Sequence, residues 1–191
     1  GLAGALLVGA SIAQSLAHGL GIPAIGIHHL EGHLLSPFMN GAGPAHAEAV
    51  RPHLALIASG GHTMLLEVRG LGEYEVLGRT RDDAAGEAFD KGAKLLGLPY
   101  PGGALIDRHA AQGDVTRFAF PRGIPERADL RLSFSGLKTS PRYRIEKLPA
   151  AEVSAQMDDL CASYQQAVID ALVRKTAAAL RQGEGIYRSV G

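Results

Sequence analysis

Three of the eight histidines in this chain fall within six residues, His28-His29-Leu30-Glu31-Gly32-His33, and that clustering points to metal chemistry. On a helix His29 and His33 are i and i+4, so their rings lie roughly 40° apart around the axis and face the same way. Two neutral imidazoles so placed can close on one divalent ion; the third histidine favours this over a pair of satisfied surface or core histidines. Zinc proteases put a Glu directly after the first His, as general base for metal-bound water. Here Glu31 follows His29 by two positions, about 180° from the midpoint of the pair, which argues against a protease. Leu30, Leu34 and Leu35 are expected to turn inward while Glu31 looks elsewhere, with a hydrogen bond that holds a ligand histidine in place as one role open to it.

Other stretches carry weaker chemical signals. Ser59-Gly60-Gly61-His62 joins two apolar, strand-like runs, and its glycine pair fits a sharp turn with positive φ. The plain reading is a hairpin; the functional one is that Ser59, Gly60 and Gly61 present bare backbone N–H groups to a phosphate or carboxylate. Asp83, Glu87, Asp90 and Lys94 share one helix face, which by pattern alone reads as solvated. Gly102 and Gly103 open a helix, where an anion or ribose can approach closely. Lys138, Arg142, Arg144 and Lys147 form a local basic cluster, either a nucleic-acid patch or a plain solvated surface. His46 and His53 read as bystanders, and the single cysteine, Cys161, as ordinary core.

The elements that must hold these residues follow from periodicity. Leu6, Ala10, Ala13, Leu16 or Ala17 and Leu20 repeat at helical spacing and predict a buried helix over 5–20, stopped by Gly21 and Pro23. Residues 24–27 read as a short inner strand that delivers the histidines at its carboxyl end, where open α/β sheets place ligands. A surface loop is expected over 40–51. Strands are expected over 53–58 and 63–68, with a third over 74–78 extending the meander. Asp82-Asp83 looks like the cap of a helix reaching Leu96 and ended by Gly97, and a second helix is expected over 104–112. Residues 113–132 read as irregular, and 133–138 as a strand or turn entering a helix. A long helix or helix pair over 151–180 buries Val153, Met157, Leu160 or Cys161, Tyr164, Val168, Leu172 and Val173. The run 186–191 looks like the opening of a strand.

Composition excludes several classes. At 191 residues and 46% hydrophobic content there is ample material for a core. The 19 basic and 19 acidic residues cancel, so no global basic field drives nucleic-acid binding and any such contact must be local. One cysteine excludes a disulfide framework and fits a reducing cytoplasm. The apolar run near the start, broken by Ser11, Gln14 and His18, reads as too short and too polar for a membrane span. The chain begins and stops in mid-pattern, as a fragment would.

Taken together, the motifs at 28–33, Ser-Gly-Gly-His-Thr (59–63), Asp-Asp-Ala-Ala-Gly-Glu-Ala-Phe-Asp-Lys (82–91), Tyr-Pro-Gly-Gly (100–103) and Ser-Phe-Ser-Gly-Leu-Lys-Thr (133–139) resemble one family in order. It is the tRNA threonylcarbamoyladenosine transferase catalytic-subunit family, once described as O-sialoglycoprotein endopeptidases. The resemblance covers essentially all of this chain, and the chain covers the middle of the family pattern. It implies an α/β fold of actin/sugar-kinase/Hsp70-like (ribonuclease-H-like) lobes, incomplete at both ends, with 1–52 closing the first lobe and 53–191 forming much of the second. It implies His29 and His33 as metal ligands, completed by an aspartate beyond this chain, for one divalent ion per subunit, iron(II) first and zinc as the alternative. It implies Ile57, Ala58, Ser59, Gly60, Gly61, Asp90 and Gly103 as contacts to threonylcarbamoyl-adenylate. The family's phosphate-loop segment and its later Asn-bearing substrate strand are missing.

The reaction so implied is metal-dependent acyl transfer, from the adenylate to the exocyclic amine of the adenosine beside the anticodon in tRNAs reading codons that begin with A. The implied setting is the cytoplasm, with no membrane. The implied partners are tRNA and accessory subunits, among them a paralogous actin-like protein and an ATPase. A metal-dependent glycoprotein endopeptidase, an actin-like ATPase or sugar-kinase relative, and a non-catalytic paralogue remain as alternatives; the last would be expected to lack the histidine pair.

Overall fold

The computed structural model describes residues 3–38, 52–145, 149–187 and 189–191. The expected loop at 40–51, with His46, lies outside the described residues, as do Lys147 and the side chains of Lys138, Arg142 and Arg144. The fold is mixed α/β around a small antiparallel sheet.

The sheet is a meander of β1 (His53–Ala58), β2 (Thr63–Gly70) and β3 (Glu73–Arg79), in the order β1-β2-β3. His53 pairs with Val68 and Ala58 with Thr63, so the hairpin turn is Ser59–His62. Alternation along the strands covers both faces. Leu54 and Leu65 point to one side, with Ala178 and Ala179 of the last helix. Ala55, Leu66 and Val68 point to the other, against Leu34 of the histidine helix. Residues 189–191 add a parallel edge to β1: Leu54 N–H donates to Ser189 O at 3.1 Å and Leu56 N–H to Gly191 O at 3.0 Å, matching the strand onset expected there.

The helices are α1 (Ala3–Leu20), α2 (His29–Leu35), α3 (Ala85–Leu95), α4 (Gly102–Ala110), α5 (Ser135–Ile145), α6 (Ala150–Ala155) and α7 (Met157–Gln182). The largest core lies where α3, α4 and α7 meet the irregular stretch before α5, and joins Ile106, Phe120, Phe134, Leu137, Leu160 and Tyr164. Tyr164 is 1% exposed, and its hydroxyl donates to Ala88 O at 2.6 Å. Burying such a ring contributes about 4 kcal/mol before entropic costs. Glycine lets α3 approach it, since a Cβ at Gly92 would stand 2.5 Å from Tyr164 Cζ. Cys161 is wholly buried in the same core, as expected, and burial pushes its thiol up to about 12. Of the expected α7 stripe, Val173 is the exception, at 60% exposure.

Several expectations are corrected. Helix α1 forms where predicted but is not buried: among its residues only Ala17 is, while Leu7, Val8, Ile12 and Leu16 are exposed. Its spacing reports an apolar face, not what covers it. By length and composition α1 is also apolar enough to cross a membrane, because its four polar residues, Ser11, Gln14, Ser15 and His18, dilute an Ala/Leu run only slightly. Residues 24–27 form no strand; Ile25 and Ile27 are exposed, and no described strand pairs with them. Asp82 and Asp83 do not cap α3. The Ala84 N-cap has no side-chain bond, and Asp82 instead accepts from Phe134 N–H at 2.7 Å and from the Ser133 hydroxyl. Burial would raise the Asp82 carboxyl, but these bonds outweigh it and hold it below its usual range.

Candidate functional site

His28 is extended, with φ −68° and ψ 126°, and accepts from Gly32 N–H at 3.2 Å, so α2 begins on His29. Buried Leu34 anchors the helix on the sheet and turns the opposite face outward. There His29 Nε2 and His33 Nε2 lie 3.2 Å apart. Two nitrogens bound at ~2.1 Å to one ion at near-tetrahedral angles are ~3.4 Å apart, so the pair fits a shared divalent cation. Burial, and after it nearby positive charge including that of His33 and His62, lowers the His29 imidazole below its ordinary value; the neutral form is the one that ligates. Among the described residues no set of three His, Cys, Asp or Glu side chains could hold a metal. Glu31 does not orient a histidine: it accepts from the Tyr74 hydroxyl at 2.8 Å. His53 is buried at the head of β1 with its ring 5.2 Å from that of Phe38, and it lines the same cavity as His33.

The hairpin turn lies between the histidines and α3. Ser59 N–H donates to His62 O at 2.8 Å, and Ser59 Oγ accepts from His62 N–H at 3.1 Å and Gly61 N–H at 3.4 Å. This closure corrects two expectations. Neither Gly60 nor Gly61 has positive φ, and the Ser59 N–H is turned into the loop. Gly60 N–H is the turn amide with no partner among the described residues. A Cβ at Gly60 would meet nothing within 4 Å, so neither backbone angle nor packing demands glycine there. What glycine leaves is open space above a bare amide.

Helix α3 docks its start on this turn. Thr63 Oγ1 accepts Ala85 N–H at 2.8 Å and Ser59 O accepts Gly86 N–H at 3.1 Å. A Cβ at Gly86 would come 2.8 Å from Gly60 Cα and 2.9 Å from Gly60 N. One turn on, Asp90 Oδ1 accepts Gly102 N–H at 3.0 Å and so caps α4. The approach is close, since a Cβ at Gly102 would lie 2.2 Å from Ala93 Cβ. At Gly103 a Cβ would meet only Phe89 Cβ at 3.8 Å, so glycine again leaves open space.

Two cavities flank the turn. His33, Ile57, Ala58 and Ser59 line one of about 290 Å³; Gly60, Asp90 and Gly103 line an open cleft of about 550 Å³ with Gly86, Phe89 and Asp107. Residues from α2, the β1–β2 turn, α3 and α4 are thus brought to one region. The Ser59–Gly60 turn stands between a histidine pair suited to a cation and a cleft floored by glycines. Reading the sequence element by element missed His62, whose ring centroid is 6.4 Å from that of His29, and Gly86. It also missed Asp107, four residues after Gly103 and so on the same face of α4, a spacing that could have flagged it. The long-range bond from Gln165 Nε2 to Asp107 Oδ1, 3.1 Å, had no local signal.

A family model described as TsaD, tRNA N6-adenosine threonylcarbamoyltransferase, matches residues 1–188. Among curated proteins carrying that same description, one from Trichlorobacter lovleyi is 54% identical over 190 residues, covering 100% of this chain and 54% of its own length. One from Pelobacter propionicus is 53% identical over 190 residues, with 100% and 54% covered. A third, from Chromobacterium violaceum, is 52% identical over 195 residues, with 100% and 55% covered. The chain spans about half the length of the curated relatives it matches. With a match over nearly every residue and half of the positions identical, the chain belongs to the tRNA N6-adenosine threonylcarbamoyltransferase family.

Proposed function

We propose that the protein to which this chain belongs transfers a threonylcarbamoyl group from its adenylate to the exocyclic amine of the adenosine next to the anticodon, in tRNAs reading codons that begin with A. The observation that carries the reading is the turn Ser59–Gly60 between the histidine cavity and the glycine-floored cleft. An adenylate laid across that turn has its nucleotide in the cleft and its carbonyl toward His29 and His33. Gly60 N–H and the partial positive charge of the turn hold the phosphate. Asp90, oriented by Gly102 N–H, accepts from a ribose hydroxyl, and Gly103 admits the nucleotide close to α4. Ile57 and Ala58 line the histidine-side wall beside the carbonyl.

His29 and His33 hold one divalent ion, iron(II) in preference to zinc, with a carboxylate as the third ligand of the family pattern. When bound, the ion supplies Lewis acidity at the carbonyl and a template for it. The amine nitrogen forms the new C–N bond, the C–O bond to phosphate breaks with its electron pair leaving on AMP, and one amine proton passes to solvent. The remaining parts of the reading are an actin-like two-lobed fold divided near residue 52, a cytoplasmic location, tRNA as acceptor and accessory subunits including an actin-like paralogue and an ATPase. A peptidase finds less support, because Glu31 is engaged by Tyr74.

The test is metal content and threonylcarbamoyl transfer to unmodified tRNA by the full-length protein with its accessory subunits, compared with His29→Ala/His33→Ala. Loss of one bound metal together with transfer is the expected outcome. Transfer that survives without the metal would refute the metal-assisted mechanism and leave the histidines structural.

A further inference from the structure

The 19 basic and 19 acidic residues give the chain no overall positive field, so an RNA brought to the histidine cavity needs cations placed beside it. Several described cations are engaged by nearby acids: Arg69 by Glu67 and Glu75, Lys91 by Asp83 and Glu87, Arg122 by Asp170 and Arg131 by Asp129. Arg79 and Arg81 are exposed and pair with no acid among the described residues. The register sets which way they face. Ile57 of β1 stands opposite Met64 of β2, and Met64 opposite Arg79 of β3. Opposed residues share a face, and Ile57 and Met64 pack with Leu34 on the side of α2. Arg79 therefore leaves the sheet on the histidine side, two strand spacings or about 10 Å from Ile57 in the cavity wall. This row lies at the turn end of the sheet: the ring of His62 is 6.4 Å from that of His29, and the carbonyl of the next residue, Thr63, accepts Thr80 N–H at 2.9 Å. Arg81 shares the side of Arg79 by strand alternation. Its N–H donates to Leu132 O at 2.9 Å, and Leu132 N–H donates to Arg79 O at 3.1 Å, so both arginines stand on backbone tied from two sides. About 6.6 Å of strand separates them, close to the separation of consecutive phosphates along an RNA strand.

We propose that Arg79 and Arg81 form the docking edge for the tRNA backbone, each guanidinium donating to a phosphate beside the acceptor adenosine. The inference rests on tRNA being the acceptor in the reading above. A nucleotide held by its phosphate at this edge can extend its base toward the cavity lined by Ile57 and His33. Arginine suits the task, because its planar fork meets two phosphate oxygens at once and keeps its charge at every working pH. Contacts to phosphate fix register and orientation but read no sequence. The edge therefore serves every substrate tRNA alike, and the choice of base belongs to the cavity.

The experiment uses the full-length protein with its accessory subunits and unmodified tRNA. Wild type is compared with Arg79→Gln/Arg81→Gln and Arg79→Lys/Arg81→Lys, and with Arg181→Gln on α7, the helix that packs on the opposite face of the sheet. Equilibrium tRNA binding is measured over a salt series, beside steady-state transfer. The Gln pair should weaken tRNA binding about tenfold near 0.1 M salt and lower the slope of log affinity against log salt by about 1.5, as expected for two lost phosphate contacts. The loss should be the same for tRNAs that differ in anticodon-loop sequence. The KM for tRNA should rise with it, while the KM for the adenylate and the kcat at saturating tRNA stay near wild type. The Lys pair, which keeps both charges, should retain the slope and most of the affinity, and Arg181→Gln should change neither. Affinity and slope unchanged in the Gln pair, with transfer by wild type intact, overturns this contact alone. Equal weakening by the Gln and Lys pairs with the slope kept overturns it in favour of a structural role. A wild type that binds no tRNA overturns the acceptor reading and this contact with it.

Discussion

Gly86 has no side chain, yet it sets what the turn can offer. A methyl group there would press on Gly60 Cα at 2.8 Å and cover Gly60 N at 2.9 Å, well inside normal contact. Gly86→Ala is therefore expected to raise KM for the adenylate about tenfold or more, the scale of one charge-assisted hydrogen bond. Metal content should stay unchanged, because His29 and His33 stand on another element; kinetics paired with elemental analysis checks both. At Asp90 two roles converge. Asp90→Ala removes the expected ribose contact and also the cap of α4, so it should weaken adenylate binding and cost about 1 kcal/mol of stability. Asp90→Asn keeps an acceptor for Gly102 N–H and should separate the two, with stability near wild type and binding still weakened. Calorimetric melting and adenylate titration measure the pair, and loss of metal in either variant would contradict the assignment.

At the scale of elements, the edge of the sheet is held by Tyr187, whose hydroxyl donates to Glu67 Oε2 at 2.9 Å. Burial, and after it the bond to Glu67, pushes the Tyr187 phenol up to about 12. Its folded-state value lies above the ordinary value of about 10, so its contribution to holding 189–191 on β1 is whole below about pH 10 and is lost as pH rises through about 12. Tyr187→Phe should remove one late-ionising tyrosine from the ultraviolet titration and make the segment after α7 easier to cleave at neutral pH. Element type was largely readable in advance: the hairpin from its alternation, and α3, α4 and α7 from their 3.6-residue spacing. The two acids at 82–83 were misread because a cap motif is local. Their partners, Ser133, Phe134 and Lys91, are 8 to 52 positions away.

At the scale of the whole molecule, α1 and the stretch after it leave Leu7, Leu16, Ile25 and Ile27 each exposed. Scattered apolar residues on a surface are ordinary, but a run of this extent favours association. The 191-residue chain taken alone is expected to self-associate, and Leu7→Gln with Leu16→Gln to reduce that association without lowering the melting temperature of the α3–α4–α7 core; light scattering beside thermal denaturation tests it.

What depends on near neighbours was legible in the residues alone. The i, i+4 histidines share a face because of the helical repeat, the Ser-Gly-Gly-His turn follows from two alternating runs, and the inner stripe of α7 follows from its period. What depends on distant partners came from packing: that Glu31 goes to Tyr74, that most of α1 is left uncovered by the described residues, and that 24–27 pairs with no described strand. It also decided that Gly60 is bare for space, not for backbone angle, and that α2, the turn, α3 and α4 meet around two adjoining cavities. Periodicity records which face of an element is apolar; which face meets which is set by packing across tens of residues, and no local spacing encodes that.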